Sequence, residues 1–280
     1  LEAPTAHRGV TGLGVEQELE SGPGFAVIGN FPVDRMCSSQ LRLAYAGVMS
    51  QLGSLIVQNG HGEAIVEVRD MGREYSHRSR GYHGRALLPF HTDGTKGEAQ
   101  AVHYAALLCV QTAVSGGLSA LVSGERLYSV LRSRHPEVIP VLERGFFHHR
   151  QGDHPSAHRP VSLERIPVFS LRSGLLRCRY NRNNMEWAAR EGIVLSGAEK
   201  RALEIVDQVV AEAHFPLRMQ LQRGDLQIIN NFTVLHSRSA YEDGAGHERH
   251  LLRVWLNNGR SRRGGNDLIQ RFSSSESRFA

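Results

Sequence analysis

Hydrophobic residues in this chain occur in short runs separated by glycine, proline and polar residues. Residues 101–110 form a continuous apolar run of the kind that lies in a buried inner strand. Residues 166–170 and 175–180 predict a hairpin, and the β-branched patches at residues 55–57 and 64–68 predict a second one. Many short strands with few helices favour a mostly β sandwich.

Three segments have apolar residues at helical spacing: residues 38–53, 124–134 and 196–214. The last of these is the best defined, because Ser196 and Glu199 match the capping box that begins many helices. The pattern therefore predicts a β core with a few peripheral helices.

The chain has 280 residues and a mass of 31.1 kDa, a size that one large β domain commonly reaches. We assign residues 21–258 to this domain. Residues 1–20 are polar and mixed, which predicts a flexible N-terminal segment. Residues 259–280 contain few apolar residues and predict a disordered tail.

The composition, with 40% hydrophobic and 22% charged residues, is typical of a soluble globular protein. No apolar run is long enough to cross a membrane, and the first residues lack the order of a signal peptide, so we expect a cytoplasmic protein. The three cysteines are widely separated, which predicts free, buried thiols. The net charge of +5 comes from scattered arginines without interleaved aromatic residues, so we expect no nucleic-acid partner.

Candidate metal ligands stand out in two of the predicted strands. His91 and Asp93 are two residues apart after an apolar run, so they lie on the same face of a strand. His236 ends the apolar run at residues 226–236. Two histidines and one carboxylate that leave open positions on the metal are typical of non-haem Fe(II) oxygenases, whereas a structural zinc site requires a fourth protein ligand.

Four separate blocks, at residues 81–93, 115–119, 230–238 and 249–256, resemble the taurine dioxygenase (TauD/TfdA) and clavaminate synthase-like family. The resemblance runs in the same order from about residue 24 to 257. It implies a double-stranded β-helix, also called a jelly roll or cupin-like fold. It also implies an enzyme that uses Fe(II), 2-oxoglutarate and O2 to hydroxylate or desaturate a small substrate, with release of succinate and CO2.

The resemblance also implies roles for particular residues. Ser119, just after the paired glycines, and Arg249, thirteen residues after the last histidine, would bind the carboxylate of 2-oxoglutarate. Arg253 lies on the same strand face as Arg249. It would either support 2-oxoglutarate or bind an acidic group of the substrate. Because related halogenases have a small residue at the position of Asp93, its carboxylate favours hydroxylation or desaturation.

For the substrate pocket, the candidates are Tyr82, Arg182 and Asn183. The histidine-rich segment at residues 148–158 contains Gly152 and Pro155, which predict an irregular, mobile lid rather than a metal site. We expect a small polar or anionic metabolite as the substrate. Amino acids, sulfonates, phosphorylated metabolites and natural-product intermediates all remain open.

Two other classes of protein fit part of this pattern. A metal-binding jelly roll without turnover would keep the three metal ligands but would need neither Ser119 nor Arg249. A zinc enzyme that hydrolyses or isomerises its substrate would not bind 2-oxoglutarate. An oxygenase that acts on nucleic acid would use the same chemistry, but no basic and aromatic platform supports it.

Overall fold

The structure is a computed structural model, and it describes residues 12–94, 101–151, 160–172 and 174–259. The helices, in chain order, are α1 (Gly12–Glu20), α2 (Ser38–Met49), α3 (Gly124–Arg134), α4 (Ile139–Arg144), α5 (Arg182–Trp187) and α6 (Gly197–Ala211). The strands are β1 (Phe25–Ile28), β2 (Ser54–Ile56), β3 (Ile65–Val68), β4 (Leu88–His91), β5 (Tyr104–Gln111), β6 (Ser115–Gly116), β7 (Ser119–Ser123), β8 (Phe169–Arg172), β9 (Leu175–Cys178), β10 (Leu217–Met219), β11 (Leu226–Asn230), β12 (Val234–Arg238), β13 (Tyr241–Glu242) and β14 (His250–Asn257). Short 3-10 turns lie at Val33–Arg35, Gly81–His83, Pro136–Val138 and Ala188–Glu191.

Two antiparallel sheets form the body of the protein. The large sheet has the order β1-β11-β5-β14-β2, with β3 also paired to β14, and the small sheet has the order β10-β7-β12-β4. Apolar side chains from both sheets meet between them, for example Ala105 and Trp255 of the large sheet and Leu121 and Val234 of the small one. This sandwich of two facing sheets confirms the predicted mostly β jelly roll with peripheral helices.

Helices cover the outer face of each sheet because alternate residues of a strand point to opposite faces. In β5, Tyr104 and Leu108 pack outward in a cluster that includes residues of α1 and α2. Ala105 packs inward, between the sheets. On the small sheet, Leu235 of β12 packs outward with the buried residues of α3, α4 and α6. The residues next to Leu235 in the chain, which include His236, therefore point to the opposite face, toward the space between the sheets.

The best-defined helices lie where the sequence predicts them. Helix α3 has the expected bounds. Before α6, the main-chain N–H of Ser196 donates to Glu199 Oε2 over 2.8 Å, and the N–H of Glu199 donates to the Ser196 hydroxyl over 3.3 Å, which confirms the capping box. Helix α6 ends at Ala211, three residues before the predicted end.

One predicted hairpin is correct and the other is wrong. Strands β8 and β9 pair as predicted. Strands β2 and β3 do not pair with each other, because both pair with the long strand β14: Ile56 lies opposite Trp255, and Val66 lies opposite Arg253. Each short strand satisfies the backbone of one part of β14, a long-range pairing that local sequence does not encode.

The N-terminal expectation also requires correction. Helix α1 begins at Gly12, and its Val15 and Leu19 are buried in the cluster on the outer face of the large sheet. Two apolar residues four positions apart therefore anchor a segment whose polar composition predicted flexibility. Residues 1–11 and the predicted tail from residue 260 onward lie outside the described residues.

Cys37, Cys109 and Cys178 are free thiols, as predicted, although Cys37 is exposed rather than buried. In the part of the chain that the structure describes, no helix combines the length and the apolar character needed to span a membrane.

Candidate metal centre and substrate cavity

The two histidines predicted to bind a metal are neighbours across two strands of the small sheet. His91 ends β4, His236 lies in the middle of β12, and the two residues are directly opposite in the antiparallel register. Their ring centroids are 4.2 Å apart. Strand pairing thus joins two side chains that are far apart in the chain.

Asp93, which follows β4, is held in place through its main chain. Its N–H donates to Asn231 Oδ1 over 2.8 Å, and Asn231 Nδ2 donates to the carbonyl oxygens of Asp93 and Val102 over 2.9 and 3.1 Å. The carboxylate oxygens lie 3.6 Å from His91 Nε2 and 3.9 Å from His236 Nε2. One ligand atom from each of the three side chains lies within 4.8 Å of the other two, which fits a single metal ion.

The protonation of these groups suits a metal. His91 Nδ1 lies 2.8 Å from the carbonyl oxygen of Pro89, and a proton on Nδ1 leaves the lone pair on Nε2 free to bind a metal. Burial and the neighbouring His91 lower the pKa of His236 to about 3, so its imidazole is neutral. Burial alone would raise the pKa of Asp93, but the charge of Arg253 and both histidines hold it well below its usual range.

Two residues of β14 orient the carboxylate. Trp255 Nε1 donates to Asp93 Oδ2 over 2.8 Å, and Arg253 Nη1 contacts Oδ1 at 3.5 Å. The Arg253 guanidinium packs between the rings of Tyr82 and Trp255, with its central carbon 4.5 and 4.6 Å from their centroids. Its Nε donates to Gln58 Oε1 over 2.8 Å. Arg253 is therefore locked beside the metal ligands.

Sequence reasoning missed both Trp255 and Asn231. Because side chains alternate between the two faces of a strand, Trp255 lies on the same face of β14 as Arg253. This alternation could have predicted Trp255 as a neighbour of the metal ligands. Nothing comparable pointed to Asn231, because its bonds to Asp93 depend on how the turn after β11 meets the end of β4.

A cavity opens on two of the three metal ligands, His91 and Asp93. Its lining residues are Gln58, Tyr75, Arg80, Gly81, Tyr82, Leu88, His91, Thr92, Asp93, Gly94, Gln151, Asn181, Asn184, Arg253 and Trp255. Of the predicted pocket residues, Tyr82 lines this cavity, whereas Arg182 and Asn183 do not. Their neighbours Asn181 and Asn184 take that place.

The reason lies in the contacts of α5. Arg182 points to the surface of α6, where Nη1 contacts Asp207 at 2.5 Å, and its Nε contacts Glu186 at 2.8 Å. The side chain of Asn183 hydrogen-bonds that of Tyr75 behind the cavity wall. The proposed pocket role of Arg182 is therefore wrong, and Asn183 acts at most through Tyr75.

Arg80 is a second cationic residue of the cavity that sequence reasoning missed. It immediately precedes the Gly81-Tyr82 block, a position that could have pointed to it. Its Nη1 donates to Gln151 Oε1 over 3.0 Å, and Gln151 Nε2 donates to the carbonyl oxygen of Ser76 over 3.2 Å. Burial lowers the pKa of Arg80, and the positive charge of Arg253 lowers it further. The two guanidiniums thus belong to one electrostatic environment.

The histidine-rich segment differs from the predicted lid at its start. His148 and His149 are buried, at 1% and 5% exposure, and the N–H of His149 donates to the carbonyl oxygen of Asn184 over 2.8 Å. These two residues are part of the packed structure. His154 and His158 lie outside the described residues. Among the residues that the structure describes, His91, Asp93 and His236 are the group with metal-binding geometry.

Ser119, a predicted 2-oxoglutarate ligand, lies near the metal centre but not on its cavity. It is opposite Arg238 in the pairing of β7 with β12, two residues along β12 from His236. Its hydroxyl is 3.1 Å from Oε1 and 3.0 Å from Nε2 of Gln227, so the two side chains bridge the small and large sheets.

Arg249 lies at the start of β14. Its guanidinium packs on the ring of Tyr241 at 5.1 Å, and its main-chain N–H donates to Asp243 over 2.8 Å. Gly117 has φ of 69°, and a Cβ added there would lie 3.1 Å from Arg249 Nε. The glycine therefore leaves room for the buried guanidinium. Among the described residues, Arg249 Nη1 has no hydrogen-bond partner, which fits a site for an anion.

The comparison with protein families identifies this arrangement. The family described as "Taurine catabolism dioxygenase TauD, TfdA family" matches residues 15–255. The chain belongs to the TauD/TfdA family. This TauD/TfdA protein is therefore a non-haem iron dioxygenase that uses Fe(II), 2-oxoglutarate and O2, as the sequence predicted. The alternatives of a zinc enzyme and of a binding protein without turnover are not favoured.

Three curated relatives are similar over much of the chain. FR-33289 synthase from Streptomyces rubellomurinus is 32% identical over 254 residues, which cover 87% of this chain and 72% of the relative. A taurine hydroxylase-like protein from Stachybotrys chartarum is 28% identical over 86% of this chain and 62% of its own. A uridine-5'-phosphate dioxygenase from Streptomyces sp is 27% identical over 61% of this chain and 62% of its own.

Solved structures confirm the fold. Asparagine oxygenase in complex with Fe(II), 2S,3S-3-hydroxyasparagine and succinate has a TM-score of 0.68, with 19% identity over 86% of this chain and 76% of its own. The non-haem iron oxygenase OrfP in complex with Fe and alpha-ketoglutaric acid has a TM-score of 0.60, with 16% identity over 88% of this chain and 78% of its own.

Proposed function

We propose that this TauD/TfdA protein hydroxylates a small anionic metabolite whose acidic group binds to Arg253 and Arg80. The observation that carries the proposal is the charge of the cavity. Both guanidiniums line it, and among its described lining residues Asp93 alone is acidic. Because Asp93 is the predicted metal ligand, its charge offsets that of the metal, and the positive charge of Arg253 beside it favours a further anion in the cavity.

His91, Asp93 and His236 would hold the Fe(II), since two imidazoles and one carboxylate with open positions suit this metal. Ser119 and Arg249 would bind 2-oxoglutarate. When bound, iron, 2-oxoglutarate and O2 supply the oxidising chemistry, with succinate and CO2 as products. The protein contributes rigid ligands, a shielded cavity and a fixed position for the substrate.

The geometry of Arg253 supports binding of an anion close to the metal. Its Nε is occupied by Gln58, and its weak contact with Asp93 uses only Nη1. Guanidinium groups bind carboxylates and phosphates through two parallel hydrogen bonds. An acidic group on Arg253 would place the adjoining carbon atoms of the substrate beside the metal ligands.

Arg80 approaches the cavity from the segment before β4, and its bond to Gln151 holds the guanidinium. Gln151 itself has φ of 50°, a left-handed conformation that is uncommon for residues other than glycine. Such conformations are frequent at binding sites. The name of one relative, uridine-5'-phosphate dioxygenase, refers to a phosphate ester, in agreement with an anionic substrate.

The test is a substrate screen with matched pairs. Fe(II)-loaded protein with 2-oxoglutarate and O2 is offered small metabolites that carry a carboxylate, sulfonate or phosphate, each with its neutral amide or ester. We expect an anionic member to accelerate succinate formation and to be hydroxylated, and Arg253→Ala to abolish this acceleration. Equal acceleration by the neutral partner would refute the anionic substrate.

The predicted cytoplasmic location and the predicted single domain belong to the same proposal. Three free cysteines agree with a reducing compartment. Because α1 packs against the large sheet, the domain would begin before residue 21.

A further inference from the structure

A second buried arginine, Arg238, lies close to Arg249. Its guanidinium packs on the ring of Tyr241 at 4.7 Å, and that of Arg249 packs on the same ring at 5.1 Å. Both arginines are 6% exposed. Two buried like charges on one ring repel each other and are both costly to desolvate, so an anion bound by both guanidiniums would stabilise the pair.

The hydrogen bonds of Arg238 leave one position open. Its Nη2 donates to the carbonyl oxygens of Gly84, over 2.9 Å, and Ala86, and its Nε contacts the carbonyl oxygen of Ser239 at 3.3 Å. These bonds hold the guanidinium in one orientation. Nη1, however, has no hydrogen-bond partner among the described residues, and the same is true of Arg249 Nη1. Each arginine thus has one buried donor to offer to a ligand.

The position of Arg238 along β12 suits one particular ligand. It lies two residues after His236, on the same face of the strand and about 7 Å away along it. This span is comparable with the full length of an extended 2-oxoglutarate molecule, from the outer oxygens of one carboxylate to those of the other. Ser119 lies directly opposite Arg238 on the neighbouring strand.

We propose that Arg238 is a second carboxylate-binding residue, which binds the distal carboxylate of 2-oxoglutarate together with Arg249. This inference rests on the use of 2-oxoglutarate by the enzyme. A carboxylate accepts several hydrogen bonds and neutralises much of the repulsion between the two guanidiniums. The paired arginines therefore select keto acids that carry a second carboxylate.

The experiment compares two keto acids under anaerobic conditions, so it requires neither turnover nor the substrate. The Kd values of 2-oxoglutarate and of 2-oxobutyrate, which lacks the distal carboxylate, are measured by calorimetry on Fe(II)-loaded protein. The variants are Arg238→Gln and Arg238→Met, and the second keeps the apolar packing on Tyr241. Arg69→Gln, at the surface, serves as the control.

We expect Arg238→Gln and Arg238→Met to increase the Kd of 2-oxoglutarate at least tenfold and to leave the Kd of 2-oxobutyrate unchanged. The preference of the protein for the dicarboxylate would then fall. The control keeps the wild-type preference. If the Kd values of both keto acids increased equally, Arg238 would only support the segment at residues 84–86, and the inference would be overturned. Unchanged Kd values for both keto acids would also overturn it. Wild-type protein that binds Fe(II) but neither keto acid would overturn the cofactor assignment as well.

Discussion

The hydrogen bond from Trp255 to Asp93 determines how the metal-binding carboxylate is held. Trp255→Phe keeps an aromatic ring between the sheets and removes the Nε1 donor, which lies 2.8 Å from Oδ2. A hydrogen bond to a charged group contributes about 1.5–3 kcal/mol. Loss of the groups that orient metal ligands commonly lowers metal affinity about 10- to 100-fold. Because Arg253 still contacts the other oxygen, we expect the Kd of Fe(II) to increase about 10- to 30-fold.

The assay is anaerobic calorimetry with Fe(II), accompanied by thermal unfolding of each variant. Trp187→Phe is the matched control, since it makes the same chemical change at a residue of α5 that packs on Tyr75 and does not contact Asp93. The control is expected to bind Fe(II) as the wild type does. A folded Trp255→Phe protein with unchanged affinity would contradict the role of the indole, and so would an equal loss in both variants.

Three further predictions follow from the structure. Arg80→Ala should raise the KM of an anionic substrate about 10- to 100-fold, because it removes a hydrogen bond to a charged group. Arg182→Ala is the control and should leave the KM unchanged. Steady-state kinetics of the two variants tests this prediction. Gly117→Ala places a side chain at positive φ, which costs about 1–2 kcal/mol and should lower the melting temperature. The added Cβ should also displace the nearby Arg249, so the affinity for 2-oxoglutarate should fall. Calorimetry measures both quantities. Burial lowers the pKa of His103 from 6.5 to about 4, so the unfolded chain binds the proton first on acidification. As the pH falls from 6.5 to 4, protonation of this group in the unfolded chain should lower the free energy of unfolding by about 2–3 kcal/mol. Urea titrations should show this pH dependence in the wild type, whereas His103→Gln should lack the contribution. If the free energies of unfolding of the two proteins depend on pH in the same way, the prediction is contradicted.

Local sequence predicted the elements whose signals are local. The capping box of α6 and the apolar residues that follow it need no distant partner, and the β8–β9 hairpin closes within a few residues. By contrast, β2 and β3 had the sequence of a hairpin but pair with β14, because the free edge of that long strand offers hydrogen bonds to both. Helix α1 was missed because its stability comes from packing on the large sheet.

The candidate site divides in the same way. Chemical type and spacing were enough to propose His91, Asp93 and His236, because metal binding demands particular donor atoms. Their contact, however, depends on the pairing of β4 with β12. The residues that orient them, Trp255 and Asn231, carry no metal-binding signature and became visible only through their bonds to Asp93.

The sequence by itself determined the family, the jelly roll and the set of metal-binding atoms, because these follow from residue types and from the order of strands. Only the tertiary structure decided which charged residues face the metal. Sequence reasoning proposed Arg182 for the pocket and missed Arg80, yet Arg182 binds Asp207 on α6 while Arg80 lines the cavity. A charged side chain goes where it finds a partner or a solvated cavity, and that choice depends on contacts between segments far apart in the chain.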